Sequence, residues 1–311
     1  MAKFTDSDIQ STGAFLVGEL ERLDQTLYEP ISDFTWTRDI KLRTDVTIAD
    51  EFTSFLTNAY LGGFGGTGQG GKSWVSQMDN TPATVDVKYD KVTHPMTLWG
   101  TLLRYNIFEL QRSLAVNRPI DAQKHEAIRV KHNLDIEEQV YVGDEETKAE
   151  GLLNSSQVTQ ANIGTITDDS TPKQILDQIN SVLDAAWKNT SYIRVPNRLL
   201  VPPSLFSRLN STQLPNTAMS LLTFIQNNSL TKANGLDLDI RSCRWLENTK
   251  YFTDKRIVAY TNELDVVRLP LVQMQNLPVQ YIGFEQVVPY YASIGQVEFV
   301  RPEMVYYGIL K

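Results

Sequence analysis

Residues 66–73 read GTGQGGKS, and this octet satisfies the phosphate-loop pattern G-x-x-x-x-G-K-[ST] at each fixed position. The fold turns on what surrounds it. A phosphate loop is delivered by a buried parallel strand and opens a helix, so that backbone N–H groups converge on phosphate oxygens. The stretch leading into it, ADEFTSFLTNAYLGGFGG (49–66), lacks the Val/Ile-rich run of a central parallel strand. After Lys72, the segment SWVSQMDNTPAT (73–84) holds Asn80 and Pro82, which oppose a helix. The nearest strand able to end in a magnesium-binding carboxylate, IVAYTNELD (257–265), is interrupted by Thr261 and Asn262. Seven of the ten residues 62–71 are glycine, and a stretch so enriched matches a glycine pattern by chance. The octet therefore reads as a loop tip that binds no nucleotide.

The flanks of the tip alternate. In TWTRDIKLRTDV (35–46), Trp36, Ile40, Leu42 and Val46 point one way, and Thr37, Asp39, Lys41, Arg43 and Asp45 the other. In TVDVKYD (84–90), Val85, Val87 and Tyr89 alternate with Asp86, Lys88 and Asp90. Two amphipathic strands around a glycine-rich excursion predict a long hairpin. A two-stranded ribbon is marginal in water, so this arm is expected to lie on a neighbouring subunit.

Composition narrows the class. The 311 residues are 41% hydrophobic and 21% charged, the balance of a folded protein, and the formal net charge is −8. No Lys/Arg block marks a nucleic-acid grip. With one cysteine, Cys243, an intrachain disulfide is impossible, and a small buried apolar role is expected. No apolar signal core or run of eighteen apolar residues occurs, so a soluble chain made in a reducing compartment is expected.

Leu16, Leu20, Leu23 and Leu27 predict an amphipathic N-terminal helix over 12–28, closed by Pro30. Residues 121–139 are helix-prone and very polar, with Ala127, Val130 and Leu134 as a narrow apolar stripe; Gly143 ends this helix, and DEE and GLLN (151–154) follow. At Thr171 the sequence TPKQ gives a capping box with proline at the first helical position. The helix it starts is expected to bury Ile175, Leu176, Ile179, Val182, Leu183, Ala186 and Trp187. NRLLVPPSLFSRL predicts a buried strand, a proline turn and a short helix, and SLLTFIQNN a further helix. From about Leu236, LDLDIRSC, KRIVAYT, VQYIGFEQVV and QVEFVRPEMVYYGIL read as strands. Helices and strands are segregated, which gives an α+β class.

Catalytic constellations are not found. His125 and His132 lie seven apart on the polar helix, roughly 10 Å from each other, too far for one metal ion, and are expected to be solvated. His94 precedes Pro95 at an expected strand end. Asp144, Glu145 and Glu146 fit a solvated loop, and Asp168 and Asp169 fit the positive end of a helix dipole. No G-x-S-x-G elbow is present, and no catalytic, cofactor-binding or metal residue is assigned.

The order of these parts resembles the major capsid protein of tailed bacteriophages, the Hong Kong 97-like fold. The likeness is strongest in VYVGDEETKAEGLLN (140–154) and in QVEFVRPEMVYYGIL (296–310), where Gly295, Arg301, Pro302 and Gly308 fall at a turn, a strand break and a terminal glycine. The resemblance implies an N-terminal arm (1–35), an extended loop (36–98), a peripheral domain with its spine helix (99–171), an axial domain (172–276) and C-terminal strands (277–311) returning to the peripheral domain. It implies a structural, non-enzymatic subunit that assembles as pentamers and hexamers into an icosahedral head around double-stranded DNA in the host cytoplasm. Scaffolding, portal and decoration proteins would be its partners, and no membrane. No long charged N-terminal region precedes the fold, so scaffolding is expected to be removed or separate. Lys72 and Lys88 lie on the hairpin, with no partner singled out for a crosslink. Two alternatives come from other classes: an encapsulin-like compartment shell, and a nucleotide hydrolase using residues 66–73.

Overall fold

The computed structural model describes residues 33–61, 86–109, 111, 120–166, 170–214, 219–247 and 250–310. The octet 66–73, the expected helix 12–28 and the pair Asp168 and Asp169 lie outside the described residues. Two sheets organise the rest.

The first sheet runs β1 (Lys41–Arg43), β10 (Val267–Asn276), β12 (Glu285–Gly295), β3 (Asp86–Asn106), β2 (Phe52–Leu61); β11 (Gln280–Ile282) adds to β12 and β13 (Glu298–Phe299) to β10. Its hairpin is not the one expected from residues 35–46. β3 is a single strand of 21 residues. Its N-terminal half pairs with β2, from Phe52↔Pro95 to Leu61↔Asp86, and its C-terminal half pairs with β12. The first hairpin strand is thus FTSFLTNAYL, part of the stretch that lacks a parallel-strand signature.

Residues 36–46 do something else. Trp36–Asp39 form one helical turn, α1, and only Lys41–Arg43 are extended, parallel to β10. A helical turn brings residues three and four apart to one side, so Trp36, Asp39 and Ile40 all point inward. Asp39, expected on a wet face, is fully buried.

The second sheet has the order β6 (Thr159–Gly164), β14 (Val305–Leu310), β9 (Lys255–Tyr260), β7 (Arg198–Val201), β8 (Asp239–Ser242). The C-terminal segment therefore divides: β12 belongs to the first sheet, and β14 is an inner strand of the second. Helix α3 (Pro172–Asn189) opens with the expected capping box, Thr171 Oγ1 accepting from Gln174 N and Gln174 Oε1 from Thr171 N. It buries Ile175, Ile179, Val182, Leu183 and Ala186, with Leu176 partly covered beside them. Helices α4 (Pro203–Ser211) and α5 (Leu221–Asn228) complete that core through Leu205, Leu209, Leu221 and Ile225.

Helix α2 (Ile120–Tyr141) spans 22 residues and joins the two halves. Ile128, His132, Ile136 and Val140, each one turn apart, are buried, and so are Glu137 and Tyr141 beside them; the expected stripe is wrong, since Ala127 and Leu134 are exposed and Val130 is only partly covered. Its end explains GLLN. The N–H groups of Leu152 and Leu153 donate to the carbonyls of Val140 and Tyr141 at 2.7 and 3.0 Å, and the Asn154 amide donates to Val142 O at 2.6 Å. The carbonyls left over at a helix C-terminus are thereby satisfied by a distant loop. Gly143 has φ +78°, and a Cβ there would sit 1.9 Å from the Ala149 carbonyl oxygen, so only glycine makes this turn.

Candidate assembly surface

Residues directly opposite one another in an antiparallel pair share a face. The register of β2 and β3 places Phe52, Leu56 and Tyr89 on one face of the ribbon and Phe55, Val92 and His94 on the other. Phe52, Leu56 and Tyr89 are 61%, 65% and 64% exposed. The face continues along β3 into the first sheet, where α2 covers it: Leu103, Tyr105, Ile128 and Val288 pack together, and Trp99 Nε1 donates to Asp135 at 2.9 Å. The opposite face of β3 leaves Leu98 and Leu102 exposed. At the far end of the same sheet, Tyr281, Ile282, Phe284 and Phe108 are each more than half exposed, and the Phe108 and Phe284 rings lie 5.7 Å apart. Large apolar side chains exposed in several groups on one sheet suit contact with another protein.

The interior is fixed by charge as well as by apolar packing. The Asp39 carboxylate receives Arg38 through two bonds at 2.7 and 2.8 Å, Arg198 at 3.3 Å and the Tyr141 hydroxyl at 2.6 Å. Burial and the neighbouring Asp39 charge push the Tyr141 hydroxyl far above its usual range, so it stays protonated and donates to Asp39. The fully buried Glu137 accepts from Arg244 at 2.6 Å and from Thr35 at 3.1 Å. These pairs tie α1, α2 and strands of the second sheet together. Sequence reasoning missed both carboxylates. The neighbouring Arg38–Asp39 pair was the available signal; Glu137 offered none within a polar helix.

The histidines divide. His125 is exposed and lies 2.8 Å from the Tyr290 hydroxyl. His132 is not solvated as expected: it is buried, its ring set edge-on to Trp99 at 4.6 Å, and burial lowers its pKa from the usual 6.5. His94 is half-buried on β3 and stacks at 6.0 Å on Phe55. Cys243 is fully buried, and burial pushes its thiol up to about 12, out of reach of nucleophilic chemistry at neutral pH. Asp144 serves the turn, accepting from Glu146 N and Thr147 N. Lys88 is exposed on the hairpin. Among the described residues, no group of three or more His, Cys, Asp or Glu side chains is placed to hold a metal ion.

A family model of the major capsid protein matches residues 70–308. The chain belongs to that family. Solved capsids share the fold of this capsid protein. One is the capsid of Myoviridae phage XM1, with a TM-score of 0.78 at 15% identity, covering 94% of this chain and 98% of the other. The capsid of a native GTA particle gives 0.64 at 12% identity over 98% and 99% of the two chains. Mycobacterium phage Ogopogo gives 0.60 at 9% identity over the full length of both. No curated protein sequence matches. The capsid protein is thus a structural component of a virion shell with a mixed helix-and-sheet capsid fold, and the compartment-shell alternative is not favoured. Among the described residues, no helix is long and apolar enough to cross a membrane.

Proposed function

We propose that this capsid protein forms pentamers and hexamers that close into an icosahedral head around double-stranded DNA, assembled in the host cytoplasm. Its hairpin lies on neighbouring subunits. The observation that carries this reading is the ribbon face bearing Phe52, Leu56 and Tyr89, which is exposed in the single chain. A second subunit supplies the cover that a two-stranded ribbon lacks. A net charge of −8 suits an inner wall that crowds packaged DNA without gripping it. Residues 1–35 then act as the arm and 36–98 as the extended-loop region, whose projecting hairpin is β2 with the N-terminal half of β3. Residues 99–171 act as the peripheral domain and 172–276 as the axial domain, with 277–311 closing the fold. Scaffolding, portal and decoration proteins are its further partners. Catalysis and cofactors have no part in this function.

The double variant Leu56→Asp, Tyr89→Asp tests the contact. Charging this face is expected to leave a folded subunit with unchanged circular dichroism and to abolish closed particles in negative-stain micrographs, with or without a co-expressed scaffold. Normal shells from the variant would remove the hairpin face from assembly. For residues 66–73, ATP should show no micromolar affinity, and Lys72→Ala should change nothing. Affinity that disappears in the variant would restore the nucleotide reading.

A further inference from the structure

β3 leaves the body of the first sheet at one point. From Asp86 to Pro95 it pairs with β2 alone, and from Met96, opposite Gly295, to Asn106 it pairs with β12. The strands crowd there: a Cβ on Gly295 would lie 2.9 Å from the Met96 sulfur and 3.0 Å from Pro270. Next to this branch sits Glu298 of β13, fully buried. Its carboxylate accepts from Arg43 Nη1 at 3.0 and 3.3 Å and from Arg268 Nε at 2.6 Å. Both arginines reach the first strand of the hairpin at adjacent residues. Arg43 Nη1 also donates to the carbonyl of Ser54 at 3.3 Å, and the Arg268 guanidinium lies 5.7 Å from the Phe55 ring. The remaining nitrogens of Arg43 fork onto the surface carboxylate of Asp45 at 2.7 and 3.1 Å.

We propose that Glu298 is a clamp on the hairpin root: one buried carboxylate holds two arginines against Ser54 and Phe55 and so fixes the direction in which the ribbon leaves the sheet. A buried carboxylate is costly unless it is paired and hydrogen-bonded. Glu298 recovers that cost only with both arginines inward, which is the position that grips β2. Arg43 links interior and surface, since it alone joins Glu298, the hairpin backbone and Asp45. The ribbon is thereby stiff at its base, where its own two strands give little rigidity.

Hydrogen exchange on the free subunit tests this without reference to shell formation. Removing Glu298 would strand two partly buried arginines and threaten the fold, so Arg43→Met is the informative variant. The amides of residues 52–56 and 91–94 should exchange about tenfold faster or more, the scale of a lost charge-assisted hydrogen bond. The amides of β9 and β14 should keep their wild-type rates. Arg43→Lys should restore part of the protection, and Asp45→Asn should change root exchange by less than about twofold, because an exposed pair contributes little. The clamp is refuted if root exchange in Arg43→Met is unchanged, or if β9 and β14 accelerate in step with it. It is also refuted if Asp45→Asn matches Arg43→Met, which would place the hold on the surface pair.

Discussion

The hairpin and the α3 region use the same kind of side chain in opposite ways. Along α3, Ile175, Ile179, Val182 and Leu183 have no exposed surface and close onto the second sheet of their own chain. On the ribbon, Phe52, Leu56 and Tyr89 are equally apolar or aromatic and stand in solvent. The difference lies in the number of layers. A helix over a sheet completes a core within one chain, whereas a two-stranded ribbon offers a second face with nothing of its own to cover it. The first region stabilises the subunit, and the second is available to stabilise an assembly.

Leu183→Asp should break the comparison most severely. It places an unpaired charge among Ile179, Val182 and Ala186, at a cost above about 4 kcal/mol. Insoluble protein is expected, against soluble, assembly-defective protein for the paired hairpin substitutions. A soluble, normally melting Leu183→Asp subunit would mean that α3 is not the organising layer.

His132 sharpens it at an intermediate scale. Its pKa is lowered by burial between α2 and β3, with the Asp135 carboxylate opposing the shift. The unfolded chain therefore binds the proton more readily than the folded one, and stability is lost as pH falls from about 6.5 toward the folded-state value. The melting temperature should drop between pH 7.5 and 5.5, and His132→Phe should flatten that drop. An unaltered slope in the variant would assign the acid sensitivity to other groups.

The smallest effect concerns the end of α3. Ser191 and Tyr192 have φ of +53° and +64°. Their N–H groups donate to the carbonyls of Lys188 and Trp187 at 2.9 and 3.0 Å, and the Tyr192 ring packs edge-on against Trp187 at 4.9 Å. This is a Schellman ending with serine where glycine is usual. Ser191→Gly should raise stability by about 0.5 kcal/mol, measured by denaturant midpoint, because the left-handed conformation no longer strains a side chain. Destabilisation would show that the serine compensates in some other way.

Elements whose signals are local were legible in the sequence. The capping box at Thr171, the 3.6-residue stripe of α3, the buried Arg198–Val201 strand and the glycine stop at Gly143 could be read because neighbours in sequence decide them. The first hairpin strand was misplaced because residues 35–46 alternate well, while FTSFLTNAYL lacks the Val/Ile run of a buried strand; a ribbon with a solvent-facing side has no need of one. The α2 stripe was misread because its buried face includes His132 and Glu137, polar residues whose burial depends on Trp99 and Arg244 far away in sequence. Buried charge is legible only once its partner is in place.

The position of β14 has a kinetic meaning. This inner strand of the second sheet lies between β6 and β9. β6 hydrogen-bonds to β14 and to no other strand among the described residues. Its register sets Tyr306 beside Thr159, so β6 finds its partner only across a long span of chain. Until Val305–Leu310 is in place, the sheet beneath α3 has a gap through its middle. Loop-closure entropy makes such a distant pairing slow, so this half of the subunit is expected to close late in folding.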